Sequence, residues 1–554
     1  MSSIRFHHGV ASFDPDATSV LLWTRSEERG PVEWRVALDA EFSSVIRSGT
    51  TEAVDVHDRC VTVSVDGLDA GTTYFYEFSQ AGDRSPVGRT RTIADGSVDH
   101  LRLGITCCAD FSAAPLGVYR ALAERDVDAI VHLGDYIYEA QTANSGRRAK
   151  FRTTCTTVED YRSRYAQIRE DPDVQYLHAR HPMFTIWDDH DLADNAWRTG
   201  AKAHDPDEHG DWDDRVGAAA AARADWLPIR YREPEDLRRT WRSVVIGDLA
   251  EIVLLDTRYE GRDRQAGDEG TLPRDHPDRS LLGDDQRAFV GERLADTARP
   301  WTIMASGVVV NEIALPLPGD GLLPNGLLPN GYAVIDGKIL HDDQWDGYTA
   351  ERDWLTTRLE ERASDGAKTV LLSGDVHSCW AMEGPQGSDG AVAVEAVCPA
   401  ASSAAMGRAN VAGVNRLIDR AAREMSHVPW ANVTERGYAI CDIDRTRAQV
   451  EWWIADPYAH DPGADASCAA AMALAHDRWP CRFDRVDHPT RDPDRPGLPK
   501  VPARPDDLGM LRLKRFGRLV IKGSLLASSA AAVAGASWLL SRRPWQAPRR
   551  LGGR

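Results

Sequence analysis

Short apolar runs recur through the first hundred residues: VLLWTR (20–25), EWRVALD (33–39), CVTVSVDGL (60–68) and TYFYEFS (73–79). They are rich in β-branched and aromatic side chains and are separated by Gly, Asp and Pro. Within VTVSV the apolar positions alternate, the period of a half-buried strand. From about residue 100 the pattern changes. LRLGITCC, AIVHLGD, MFTIWDD, EIVLLDTR, WTIMASGVV and TVLLSGDVHS read as buried strands. GVYRALAERD, YRSRYAQIRE, RAFVGERLA and ERDWLTTRLEERA, lying between them, read as helices. Strand and helix in alternation predict a layered α/β domain.

The strand spacing in residues 1–95 predicts an all-β domain of the Ig or fibronectin sandwich type, and residues 96–485 the α/β domain. Residues 200–215, rich in Asp, His and Gly, and the tandem repeat GLLPNGLLPNG within 317–331 are expected to be surface loops. Residues 486–510 are dense in Pro and charge, the composition of a semi-rigid linker. Residues 511–554 form a basic segment in which 523–541 carry no charge, about the minimum for a membrane span. The basic flanks suit an anionic leaflet, so membrane association through this segment is one expectation. An amphipathic surface helix or a disordered tail is the other.

Composition narrows the class. With 42% apolar and 27% charged residues the chain is an ordinary globular protein. Formal net charge is −19, and the ten Lys and Arg from Leu511 onward meet no acid, so the rest carries −19 − 10 = −29. An acidic body argues against a nucleic-acid-binding surface. Nine cysteines without regular spacing or a CxxC pair match neither a disulfide framework nor a zinc ribbon. The N-terminus shows no apolar h-region and no twin arginine. The expected location is therefore the cytoplasm or a membrane to which the C-terminal segment tethers the chain, with export only if the true start lies upstream.

Candidate chemistry collects at four strand ends: ITCCADF with Cys107 and Cys108, HLGDYIYE with Asp135 and Tyr138, WDDHDLADN with Asp189, His190 and Asn195, and LLSGDVHS with Asp375 and His377. In α/β folds the carboxyl ends of strands face one volume. Carboxylate, phenol, thiol, amide and imidazole gathered there are stable only around bound cations. Cys108 also has a reading as a cysteine nucleophile, which its metal-type neighbours disfavour. Cys107, adjacent on the strand, is expected to point into the core.

The GDxxY pair, the DH pair after a strand and the late GDVH resemble the calcineurin-like metallophosphatase plan. The wording HLGDYIYE, WDDHD and SGDVH, with Cys at the first strand end, resembles the PhoD-like alkaline phosphatase D family. FHHGVASFDPDATSVLLWTR, DRSLLGDDQRAF, WDGYTAER and IGDLAEIVLLDTRYEGRD fit that family too, so the likeness runs from residue 6 to about 460. It implies a β-sandwich metallophosphatase core flanked by helices. It implies Asp135 as a carboxylate bridging two cations, with Cys108, Tyr138 and His377 completing a site for Fe3+. Asp189, Asn195 and Asp375 would serve the second ion, Ca2+, with Mn2+ or Mg2+ as alternatives. Two cations about 4 Å apart would clamp a phosphoester and generate hydroxide. His190 would protonate the leaving oxygen or stabilise its charge, Asp191 would either orient His190 or be only a solvated neighbour, and Asp188 would support the ligands. Ala109, Asp191 and Asp194 depart from the usual wording, where a polar residue, Glu and Asn are commoner. The function implied is a phosphomonoesterase or phosphodiesterase. The alternatives are a membrane-associated binding protein with an inactive hydrolase core and a phospholipid headgroup phosphodiesterase.

Overall fold

A computed structural model describes residues 4–497 apart from 141–146, 148–152, 268–269, 317–331, 336–337, 406–421 and 423. The tandem repeat and the segment 511–554, with its candidate span 523–541, lie outside the described residues. Among the described residues no helix is long and apolar enough to cross a membrane.

Two large sheets carry the fold. One has ten strands, and at its centre His100–Thr106, Ala129–His132, Met183–Thr185 and Val10–Phe13 run parallel. The other has seven, with Ala250–Leu254, Trp301–Ser306, Lys368–Ser373 and Val394–Val397 parallel. Alternation along each strand assigns its two faces. Leu103, Ile105 and Val131 of the first sheet share a core with Ile252, Leu254, Ile303 and Leu372 of the second. Their neighbours face outward, into helices. Ile130 and Met183 pack with Tyr161, Tyr165 and Trp226. Val253, Met304 and Leu371 pack with Val290, Leu294, Leu355 and Leu359. Strands covered on both faces account for near-continuous apolar runs such as WTIMAS, buried at every position.

The N-terminal residues belong to two sheets. Val10–Phe13, Ser19–Arg25 and Cys60–Asp66 extend the ten-stranded sheet, with Phe13 in parallel register with Met183. Gly30–Ala37, Val45–Ala53 and Thr73–Gln80 form the body of a separate five-stranded sheet. Val20 and Leu22 pack with Val32, Val36, Tyr74, Tyr76 and Phe78 between them.

One loop expectation and one linker expectation are corrected. Residues 200–215 hold the short helix Pro206–His209 and the start of the long helix Trp212–Trp226. The Asp residues that suggest a loop are N-caps: Asp205 accepts from Asp207 N at 3.0 Å, and Asp211 from Asp213 N at 2.8 Å. The first part of the Pro-rich stretch is pinned to the body. Thr490 N donates to Glu451 at 2.6 Å, Arg102 to Asp492 at 2.9 Å, and Arg495 pairs with Asp128 at 2.8 Å.

Candidate metal centre

The parallel strands of both sheets finish on one volume. Cys108 follows Thr106, Asp135 follows His132, Asp189 follows Thr185, and Asp375 follows Ser373. Ligand atoms of Cys108, Asp135 and His377 lie within 4.8 Å of one another, as do those of Asp135, Asp189 and His190, and those of Asp135, Asp188, Asp189 and Asp375. Asp135 belongs to all three groups and is completely buried. Its carboxylate accepts from the Tyr138 hydroxyl at 2.8 Å and from His190 N at 3.2 Å. The Tyr138 oxygen stands 3.3 Å from His377 Nε2 and accepts from Ser403 Oγ at 2.7 Å. His377 Nδ1 lies 3.0 Å from the carbonyl of Ala404, which turns Nε2 toward the cluster.

Backbone conformation aims these side chains. Cys108, Asp135, Asn195, Asp375 and His377 all have φ between +51° and +63°. Left-handed backbone is unfavourable for non-glycine residues and gathers at functional sites. Gly134, with φ +96°, completes the turn before Asp135, because a Cβ there would stand 2.5 Å from Asp188 Cβ and 2.6 Å from its nitrogen.

Asp191, expected to orient His190, does something else. Its two oxygens accept from the backbone nitrogens of Asp135, Tyr136, Ile137 and Asp188, at 2.9, 3.1, 3.3 and 3.0 Å. It knots the second strand end to the third, and burial pushes its pKa up to about 6. The partner of His190 is Glu139, whose Oε2 is 2.8 Å from His190 Nδ1 and whose Oε1 accepts from Asp194 N at 2.9 Å. The imidazole is stacked on Tyr138, ring centres 4.1 Å apart. Burial disfavours the charged ring, but Glu139, Asp189 and Asp135 outweigh it and hold the His190 pKa well above its ordinary value.

Asn195 donates its backbone N–H to Asp189 Oδ2 at 2.6 Å, and its amide nitrogen stands 3.1 and 3.2 Å from the Asp343 oxygens. Cys107 points into the core, toward the carbonyls of Cys398 and Pro399. Four participants carry no assignment from the sequence: Glu139, Arg258, Asp343 and Gln344. Arg258 is completely buried. It donates from Nε to Asp188, pairs through Nη1 with Asp343 at 2.6 Å, and places Nη2 3.4 Å from Asp189 and 3.3 Å from Asp375. Gln344 donates to Asp375. The available signals were the Glu four positions after Asp135 and the Arg just past the strand Ala250–Leu254.

The donor set fits cations. Desolvation, with reinforcement from Asp189, Asp188 and Asp191, pushes the Asp135 pKa well above the carboxylate range, although His190 opposes it. Burial likewise raises Cys108 and Tyr138, so neither is an anion without added positive charge. Among the described residues the buried Asp188 Oδ2 has no hydrogen-bond partner, and Asp189 Oδ1 has only the Arg258 guanidinium, 3.4 Å away. Poorly satisfied carboxylate oxygens gathered around Asp135, which itself adjoins a thiol and an imidazole, are what metal ions satisfy.

Glu139→Gln tests the His190 pairing. His190 stays protonated up to its raised pKa, and losing the carboxylate lowers that pKa. The alkaline limb of the kcat–pH profile is therefore expected to move to lower pH, with kcat down roughly tenfold. A limb that does not move would separate Glu139 from proton transfer.

Parallel strands of two mixed sheets, their ends converging on buried carboxylates with thiol, phenol and imidazole partners, define a metal-dependent hydrolase. Residues 103–452 match the family model described as PhoD-like phosphatase, and residues 1–94 its N-terminal domain. The chain is 28% identical over 513 residues to alkaline phosphatase D of Bacillus subtilis (strain 168), covering 86% of this chain and 82% of that protein. The solved structure titled "Structure of PhoD" superposes with a TM-score of 0.74 at 26% identity, covering 88% of this chain and 94% of the other. This chain belongs to the PhoD-like phosphatase family, and it is a metal-dependent phosphoesterase. An inactive binding protein and a phospholipid-specific enzyme are not favoured.

Proposed function

We propose that Cys108, Asp135, Tyr138 and His377 hold a ferric ion, and that Asp135, Asp189, Asn195 and Asp375 hold calcium, with manganese or magnesium as substitutes. The carrying observation is that Asp135 is common to all three candidate metal groups among the described residues. Thiol and phenol beside imidazole suit iron, whereas an oxygen shell suits calcium. When bound, the ions supply positive charge to phosphate oxygens and acidify water. The chain's own residues do the rest. Asp135 accepts Tyr138 and His190 N–H and fixes both beside the phosphoester. Water adds to phosphorus, the P–O bond to the alcohol breaks, and the alcohol leaves with a proton from His190 Nε2, the nitrogen that Glu139 leaves free. Arg258 neutralises Asp188 and Asp343 and fixes their orientation. The same reading takes the two facing sheets as a β-sandwich core and residues 1–95 as an Ig- or fibronectin-like domain, supported by the shared core between the sheets and by the separate five-stranded sheet.

Metal analysis joined to a substrate panel tests this. Tyrosinate on ferric iron absorbs visible light, so concentrated protein is expected to be pink or purple. It is expected to release p-nitrophenol from p-nitrophenyl phosphate or its bis ester and to stop when chelated. Colourless, fully active protein containing only zinc or calcium would overturn the iron assignment.

A further inference from the structure

A further strand end reaches the centre. Val394–Val397 runs parallel to Lys368–Ser373, so the loop 398–405 that follows it leaves at the same end as Asp375 and His377. The loop is buried at Ala400, Ala401, Ser402 and Ser403. It is tied down along its length. Cys398 N donates to the Ser373 carbonyl at 2.8 Å, Ala401 N to the Cys107 carbonyl at 2.9 Å, and Arg436 Nε to the Ser403 carbonyl at 2.7 Å. Its last residues then meet two of the proposed iron ligands. The Ala404 carbonyl faces His377 Nδ1, and Ser403 Oγ stands 2.7 Å from the Tyr138 oxygen.

The geometry decides where the Ser403 proton points. A serine hydroxyl has one hydrogen to give. Two acceptors lie within reach, the Tyr138 oxygen at 2.7 Å and the Cys108 carbonyl at 3.0 Å. The carbonyl already accepts the N–H groups of Ser402 and Ser403, at 3.3 and 3.2 Å, which occupies both of its lone pairs. The Tyr138 oxygen is nearer, and its own hydrogen goes to Asp135 at 2.8 Å. His377 Nε2, 3.3 Å away, carries no hydrogen in the neutral ring whose Nδ1 donates to Ala404. Among the described residues Ser403 is therefore the one donor to the Tyr138 oxygen.

We infer that Ser403 is a positioning residue for the ferric site: its hydroxyl holds the Tyr138 oxygen in place and withdraws electron density from it. The inference rests on the ferric reading of Tyr138 given above. A phenolate oxygen that receives a hydrogen bond donates less to a bound ferric ion, which leaves the ion a stronger acceptor for phosphate oxygens. A serine that only filled space would leave the electronic character of Tyr138 unchanged.

The visible tyrosinate-to-iron band reads that character directly. Losing the hydrogen bond raises the donor level of the phenolate. In the iron-loaded holoenzyme Ser403→Ala is therefore expected to move the band to longer wavelength, and to lower kcat/KM for p-nitrophenyl phosphate about tenfold. Ser403→Thr keeps the hydroxyl and is expected to keep the wild-type band. Wild type alone supplies a second measurement, which stands if Ser403→Ala is poorly folded. Metal-free protein equilibrated in D2O before iron loading carries a deuteron on Ser403 Oγ, so the tyrosinate C–O stretch in the resonance Raman spectrum is expected to shift from its position in H2O. A coloured wild type whose band is unmoved by Ser403→Ala, or whose stretch ignores D2O, would overturn the Ser403 role and leave the ferric site standing. The same displacement in Ser403→Thr would assign the effect to packing and overturn it too. Colourless, iron-free wild type would overturn the ferric reading and the Ser403 role with it.

Discussion

Asp135→Asn is expected to lower kcat for p-nitrophenyl phosphate by roughly a thousandfold, about 4 kcal/mol of transition-state stabilisation, while the protein stays folded. Asp135 belongs to all three candidate metal groups, so its loss weakens both proposed ion sites at once. Folding is not at risk, for an electrostatic reason. The folded-state pKa of Asp135 is raised, chiefly by burial and then by its carboxylate neighbours. A raised carboxylate opposes folding wherever it must ionise, at every pH above its unfolded value. Asparagine keeps the shape and removes that opposition, so the metal-free variant is expected to melt at or above the wild-type temperature near neutral pH. Metal content and turnover should fall together. Near-normal turnover at normal metal content would remove Asp135 from the centre.

Arg258→Met should have the opposite profile. Arg258 is enclosed by Asp188, Asp189, Asp343 and Asp375, and their field outweighs its burial to hold its pKa well above the ordinary value. Removing the cation strands buried carboxylates, and breaking such a group costs about 3–5 kcal/mol. The melting temperature of the metal-free protein should drop accordingly. Millimolar calcium should recover part of the loss, since the more acidic cluster gains by binding it. Unchanged metal-free stability would show that Arg258 contributes little to balancing that charge.

Much of this centre was legible because strand ends carry their chemistry in short words. GDYIY, WDDHD and SGDVH sit after apolar runs, and the structure brings Cys108, Asp135, Tyr138, Asp189, Asp375 and His377 together. Partners were harder to read. Asp191 and Glu139 both lie near His190 in sequence or space, and it is the folded arrangement of the strand ends that turns Asp191 to backbone amides and Glu139 to the ring. Arg258 and Asp343 come from elements 70 and 85 residues apart from their partners, a separation at which no periodicity reports contact. The sheet plan followed a similar rule. Individual strands were visible as apolar runs, but the pairing of Phe13 with Met183 depends on a long-range register that local pattern does not encode.

That last pairing bears on how the molecule is assembled during synthesis. The Val10–Phe13 and Ser19–Arg25 hairpin can form as soon as it leaves the ribosome. Its free side then waits until Met183–Thr185 is made, and closing so long a loop is slow. During that interval an unpaired strand edge is open to other chains. A fragment begun at residue 96 would keep that hazard permanently on the strand that presents Asp189 and His190, so the smallest soluble unit is expected to include the first two strands.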